Sequence, residues 1–301
     1  MDLKEKFQIL LNKLNTGKLD EVIFEATFLN KKYPEQDAFY NLLSISYQLK
    51  GEYEKSIQLL ENALKKSKNN FNFLNNLGLS YYKKKDYDKA EKYFLKVLEI
   101  KPNYINALNN LAALYEEINH IDKSEDLLKK SIKINSQVIE TNYNLASLLQ
   151  SIGKFEEAKI YYKKTLQLDE TFTKADRGIA MLEKYTSKNN HISEMEKKIN
   201  DKRMHKKNII DLSFALGKIY EDLKDYEKSF SYIEQANKFK KDLSKYNFKN
   251  DKILFDRIKE IYKSNTLKEI PLLQTKKKNY IYFGYAKNWY FISRTNNFKS
   301  F

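Results

Sequence analysis

Apolar residues along this chain recur three and four positions apart in blocks of about a dozen, the spacing of one buried face of a helix. The stretch KAEKYFLKVLEI shows it well: Ala90, Phe94, Val97 and Leu98 fall on one face and charged residues on the other. Comparing the chain with itself finds a second period. Leu43, Leu77, Leu111 and Leu145 stand 34 residues apart, each followed by a small residue, Ser44, Gly78, Ala112 and Ala146. The same offset joins Tyr47, Tyr81, Tyr115 and Leu149; Tyr53, Tyr87, Ile121 and Phe155; Ser56, Ala90, Ser124 and Ala158; and Leu60, Phe94, Leu128 and Tyr162. Two apolar-periodic helices per period predict helical hairpins that bury their faces only by stacking on their neighbours, with small residues where two helix backbones approach closely.

Punctuation residues agree with the period. Gly17, Gly51 and Gly153 share a column with Lys85 and Asn119, at the turn after the first helix, where a left-handed residue is needed and Gly is the cheapest. Pro34 and Pro102 share another, just past the second helix, where proline prevents continuation. The stretch NLGLSYYKKKDYDKAEKYFLKVLEIKPN and its weaker copies resemble the tetratricopeptide repeat. That resemblance implies an all-α solenoid of hairpins at 3–36 (degenerate), 37–70, 71–104, 105–138 and 139–172. The register is expected to break over 173–209, a charged helical connector, and to resume at 210–243, where Leu216, Gly217, Tyr220, Tyr226, Ser229 and Ala236 refill the columns. A connecting helix is expected over 244–276.

The end of the chain reads differently. KKKNYIYFG, 277–284, is strand-like and similar to the first strand of the sulfotransferase domain that some bacterial proteins join to such repeats. After Gly284 the similarity stops in the written frame. Reading the permitted codons one nucleotide out of frame, Tyr285 to Phe301 can spell M-P-R-T-G-T-S-L-V-E-Q-I-I-S-S-H, the character of that family's phosphosulfate-binding loop. The expectation is an orphan strand-like tail over 277–301, left by a frameshift in a truncated sulfotransferase. A phosphosulfate loop needs backbone N–H groups converging at a helix N-terminus. Tyr285, Ala286, Lys287, Asn288 and Trp289 offer no glycine for that approach, so no catalytic or cofactor-binding residue is carried over from the family and no enzymatic activity is expected.

Composition narrows the picture further. The chain has no Cys, which excludes disulfides and thiolate chemistry, and its start, MDLKEKFQILLNKLNTGKLD, lacks an unbroken apolar block. A cytoplasmic protein away from membranes is expected. The formal charge of +15 is spread as Lys among Glu and Asp, the pattern of solvated helix faces, so nucleic acid is not expected as a partner. His120, His191 and His205 show no metal-ligand spacing, Glu116 and Glu117 point different ways on one helix, and no cofactor is implied. His120 is placed at an exposed turn.

One feature of the first helices points to binding. Asn76, Asn110 and Asn144 share a column, and Asn41, Asn75 and Asn109 share the column before it. In tetratricopeptide geometry the first helices line the concave face, and stacked side-chain amides there offer donors and acceptors to the backbone of an extended peptide. These six residues are the candidate site, with a protein or peptide as the expected partner. The aromatic columns of Tyr47, Tyr81, Tyr115, Phe94 and Tyr162 follow the packing period and are assigned to the core.

Overall fold

The computed structural model describes residues 2–263 other than 188, 202 and 245–247. The chain divides into two compact units, Met1–Ser244 and Lys245–Phe301. The first unit holds seven helix pairs: α1 (Leu3–Asn15) with α2 (Leu19–Lys32), α3 (Asp37–Lys50) with α4 (Tyr53–Lys66), α5 (Phe71–Lys84) with α6 (Tyr87–Ile100), α7 (Ile105–Glu117) with α8 (Ile121–Ile134), α9 (Ile139–Ser151) with α10 (Phe155–Leu168), α11 (Thr173–Leu182) with α12 (Asn190–Ile199), and α13 (Lys206–Asp222) with α14 (Tyr226–Ser244). The second unit contributes α15 (Phe248–Lys263), within the span expected to connect. No strand occurs among the described residues, and the tail over 277–301 lies outside them.

The turns fix each pair. Gly17, Gly51, Lys85, Asn119, Gly153 and Lys224 all take positive φ, between 62° and 81°. Their N–H groups close the preceding helix while the next residue bonds back five positions, as in Asp86 N to Tyr81 O at 3.0 Å. Packing follows the columns. Leu43, Leu77, Leu111 and Leu145 are buried, as are Leu60, Phe94, Leu128 and Tyr162 opposite them. Small residues admit large ones: a Cβ on Gly78 would lie 2.8 Å from Phe94 Cε1, and one on Gly217 would lie 2.7 Å from Ile233 Cγ1. Buried serines of the second helices tie the pairs together, Ser124 Oγ donating to Ala112 O at 2.8 Å and Ser229 Oγ to Gly217 O at 2.7 Å.

The tyrosine column carries a repeated device. Lys55, Lys89, Lys123 and Lys228 each lie eight residues after Tyr47, Tyr81, Tyr115 and Tyr220, and each ammonium sits over its tyrosine ring, 4.8–5.9 Å from the centroid. The hydroxyls reach back to the preceding pair: Tyr81 donates to Glu61 at 2.8 Å, Tyr115 to Glu91 at 2.6 Å, and Tyr220 to Glu196. Burial and the neighbouring Glu91 carboxylate push the Tyr115 phenol up to about 12, so it stays a neutral donor.

Residues 173–209 depart from the expected irregular connector. They hold the helix pair α11–α12, and the columns run on through it with a longer offset: Ile179 and Ala180 follow Leu145 and Ala146 at 34, while Ile192, Met195 and Ile199 follow Phe155, Ala158 and Tyr162 at 37. The three extra residues fall in the connection Glu183–Asn189, which replaces the tight left-handed turn. Met195, wholly buried, stands where α4, α6, α8, α10 and α14 carry Ser or Ala and α2 carries Val22, so α12 cannot close on α11. Instead α13 packs broadly on α11, and a buried polar cluster bridges α11 and α12. Asp176 is fully buried and accepts Lys198 Nζ at 2.9 and 3.0 Å and a contact from His191 Nε2 at 2.9 Å. His191 Nδ1 in turn meets the hydroxyl of buried Tyr185 at 2.7 Å. Thus His191, spaced in sequence like no ligand, is a structural link, while His120 is exposed and stacks on Tyr115 with ring centroids 5.9 Å apart.

Candidate functional site on the first helices

Successive first helices touch one another, α1 with α3, α3 with α5, α5 with α7 and α7 with α9, whereas no second helix packs comparably on another second helix. A stack whose first helices approach while its second helices stand apart bends toward the first helices, which therefore line the inner side. Their inner columns hold the six predicted asparagines. The structure brings five of them into direct bonds across neighbouring helices. Asn76 Nδ2 donates to Asn41 Oδ1 at 2.9 Å, and Asn110 Nδ2 donates to Asn75 Oδ1 at 3.1 Å. Asn109 exchanges bonds with the Thr141 hydroxyl at 2.8 and 3.2 Å. By the same offset Asn144 would bond Asn109, but Thr141 has taken its place, and Asn144 is half-buried without a side-chain bond to a protein group.

The asparagines thus form a ladder between helices rather than separate isolated amides. Each ladder bond uses one donor or one acceptor of an amide that has two N–H donors and a carbonyl with two lone pairs, so capacity remains. Asn75 is the most enclosed, at 6% exposure. Around the ladder stand residues that sequence reading passed over. Gln48 Nε2 donates to Asn76 O at 2.9 Å and to Ser80 Oγ at 2.8 Å. Asn72 Oδ1 accepts from Tyr104 Oη at 3.0 Å, and Asn106 Nδ2 donates to the same hydroxyl at 3.3 Å. Asn72 and Asn106 stand 34 apart in one further column, a signal the sequence did contain. Tyr143 continues the column of Asn41, Asn75 and Asn109 into α9, with burial raising its phenol. Among the described residues no group of His, Asp and Glu side chains is arranged to hold a metal ion.

Comparison with known proteins supports this architecture. Models of the tetratricopeptide repeat match residues 69–137, 139–172 and 210–243, and a TPR-repeat model matches 46–85. The chain is a tetratricopeptide-repeat protein. Among solved structures it is similar to a thermophilic TPR protein of Thermus thermophilus, with 16% identity and a TM-score of 0.55 over 60% of this chain and 97% of that one. It is similar as well to a tetratricopeptide repeat protein of Parabacteroides merdae, with 18% identity and a TM-score of 0.51 over 78% and 92% of the two chains. A third similar chain comes from the APC/C hetero-tetramer Cut9–Hcn1, at 15% identity and a TM-score of 0.57, covering 73% of this chain and 43% of that one. These likenesses are of fold. No curated protein sequence matches this chain significantly. Among the described residues no helix is long and apolar enough to cross a membrane.

Proposed function

We propose that the chain is a scaffold that binds a protein or peptide segment along the inner row of first helices, with Asn41, Asn75, Asn76, Asn109, Asn110 and Asn144 contacting the backbone of the bound segment. The observation that carries this reading is the asparagine ladder. It fixes the amides of α3, α5 and α7 in register and ties them to α9 through Thr141, while leaving part of their bonding capacity open, a preorganised surface that loses little side-chain entropy on binding. The aromatic and aliphatic columns of the 34-residue period are spent on the core.

The test begins with a random peptide library displayed on phage and selected on the full chain. The tightest selected peptide is expected to bind the Asn76→Ala/Asn110→Ala variant at least about fivefold more weakly, since two backbone-directed hydrogen bonds at roughly 0.5–1.5 kcal/mol each are removed. The variant should keep its helical circular dichroism. Unchanged affinity would remove the ladder from the site.

A finer reading, that this scaffold recruits for a sulfotransferase, has its support in the sequence of residues 277–301 and in the likeness of the repeat spacing and of the unit LSFALGKIYEDLKDYEKSF to that family. The nucleotide sequence across codons 280–301 tests it: a sulfotransferase loop in the neighbouring frame supports the kinship, and a stop codon within that frame removes it.

A further inference from the structure

The column that carries Asn41, Asn75 and Asn109 carries Tyr143, Arg177 and Phe214 in the next three pairs, and the column of Ala38, Asn72 and Asn106 carries Glu140, Lys174 and Asp211. From α3 to α7 these two columns hold no charge. In α11 they hold Lys174 and Arg177, each laid on a ring of a neighbouring first helix, and in α13 they hold Asp211 and Phe214. The Arg177 guanidinium lies 5.0 Å from the Phe214 centroid, Lys240 Nζ from α14 lies 5.9 Å from the same ring, and Lys174 Nζ lies 5.8 Å from the ring of Tyr143. Tyr143 in turn packs on Phe172 at 5.0 Å.

Lys174, Lys207 and Lys240 are exposed, and Arg177 is part-exposed. Three carboxylates bear on the patch, and one of them, Glu116 of α7, acts by its charge on Tyr143. Asp211, with its side chain 13% exposed, sits 3.5 Å from Arg177 and within reach of the charges of Lys174 and Lys207. Its desolvation pushes the carboxyl up despite those cations. Glu140 is exposed at the start of α9. Four cations against three carboxylates leave the surface net positive.

We propose that this patch, Tyr143, Lys174, Arg177, Lys207, Phe214 and Lys240, is an interaction surface for an acidic segment of the bound peptide, whose carboxylates pair with the ring-mounted cations. The proposal rests on the peptide-scaffold reading and adds the chemistry of the partner. Charge complementarity selects the occupant, and placing the cations on aromatic faces limits the freedom they lose on pairing. Single-stranded nucleic acid fits less well, because it needs open aromatic faces for base stacking and these rings are covered by their cations.

The test is fluorescence anisotropy of the full chain with three labelled probes: a decapeptide alternating Gly and Glu, its Gly and Gln counterpart, and an oligothymidine. The Glu peptide is expected to bind at physiological salt and the Gln peptide at least about tenfold more weakly. Lys174→Gln/Lys240→Gln should weaken the Glu peptide roughly fivefold to tenfold, the range expected of two exposed ion pairs. Lys92→Gln/Lys130→Gln, removing equal charge from the exposed surfaces of second helices α6 and α8, should change it less than about twofold. Equal loss from both double variants would show general attraction to a basic protein and overturn the proposal. So would absence of Glu-peptide binding, or oligothymidine bound more tightly and lost with the same two lysines. The peptide-scaffold reading fails separately, on the Asn76→Ala/Asn110→Ala variant and the library-selected peptide.

Discussion

Gly78→Leu is expected to lower the stability of the Met1–Ser244 unit by about 3 kcal/mol, near the upper part of the usual overpacking range. Even a Cβ at this position would lie 2.8 Å from Phe94 Cε1 and 2.9 Å from Cδ1, and a Leu extends further into the same space. Phe94 has nowhere to retreat, since it is fully buried among Leu60, Leu77, Leu111 and Leu114. The better helix propensity of Leu over Gly returns less than about 1 kcal/mol, so strain prevails. Lys84→Leu, on the same helix but exposed and paired only with surface Glu54 at 3.3 Å, should leave stability nearly unchanged. Urea titration followed by helical circular dichroism measures both. Equal losses would mean that the columns do not mark the packing register.

Asp176→Ala is expected to cost a further few kcal/mol, about 3 by analogy with broken buried pairs. The carboxylate is wholly buried and holds Lys198 and His191, so its removal strands an ammonium whose side chain is only 17% exposed. Removing the exposed partner of a surface pair, Asp201→Ala beside Arg203, should move the melting temperature little. Coupling gives the sharper check. Asp176→Ala and Lys198→Ala should each destabilise, and together they should cost clearly less than their sum, because the second change relieves the charge left by the first. Additive losses would show that Asp176 does not serve to hold Lys198 between α11 and α12.

The parts of the fold that the sequence announced are those set by a constant spacing. Leu77, Gly78, Tyr81 and Phe94 repeat at one interval because each pair meets the next through the same contacts, and so the all-α stack could be read directly. The pair over 173–209 escaped because three residues inserted into one connection shift α12 by an offset that a search at 34 does not test, and because Met195 breaks the small-residue column. The polar cluster was hidden for another reason. Asp176, His191 and Lys198 lie 15 and 22 residues apart along the chain, and only the spread of α12 from α11 brings them together. At the candidate site the columns of Asn41 and Asn76 were visible, but their bonding was not. It joins residues 35 apart on different helices, a relation fixed by how far one hairpin rotates on the next. The lysines over Tyr47, Tyr81, Tyr115 and Tyr220 look like solvated surface when read singly and like packing once their constant distance from the tyrosine is noticed.

The central claim, that the inner row of first helices is the binding face, is tested most directly by hydrogen–deuterium exchange of the full chain with and without the tightest library-selected peptide. Exchange reports local opening of backbone bonds helix by helix. Added protection is expected in α3, α5, α7 and α9 and in the turns that follow them, with α4, α6, α8 and α10 changed little. Protection concentrated in those second helices, or confined to α15, would place the partner elsewhere and contradict the account.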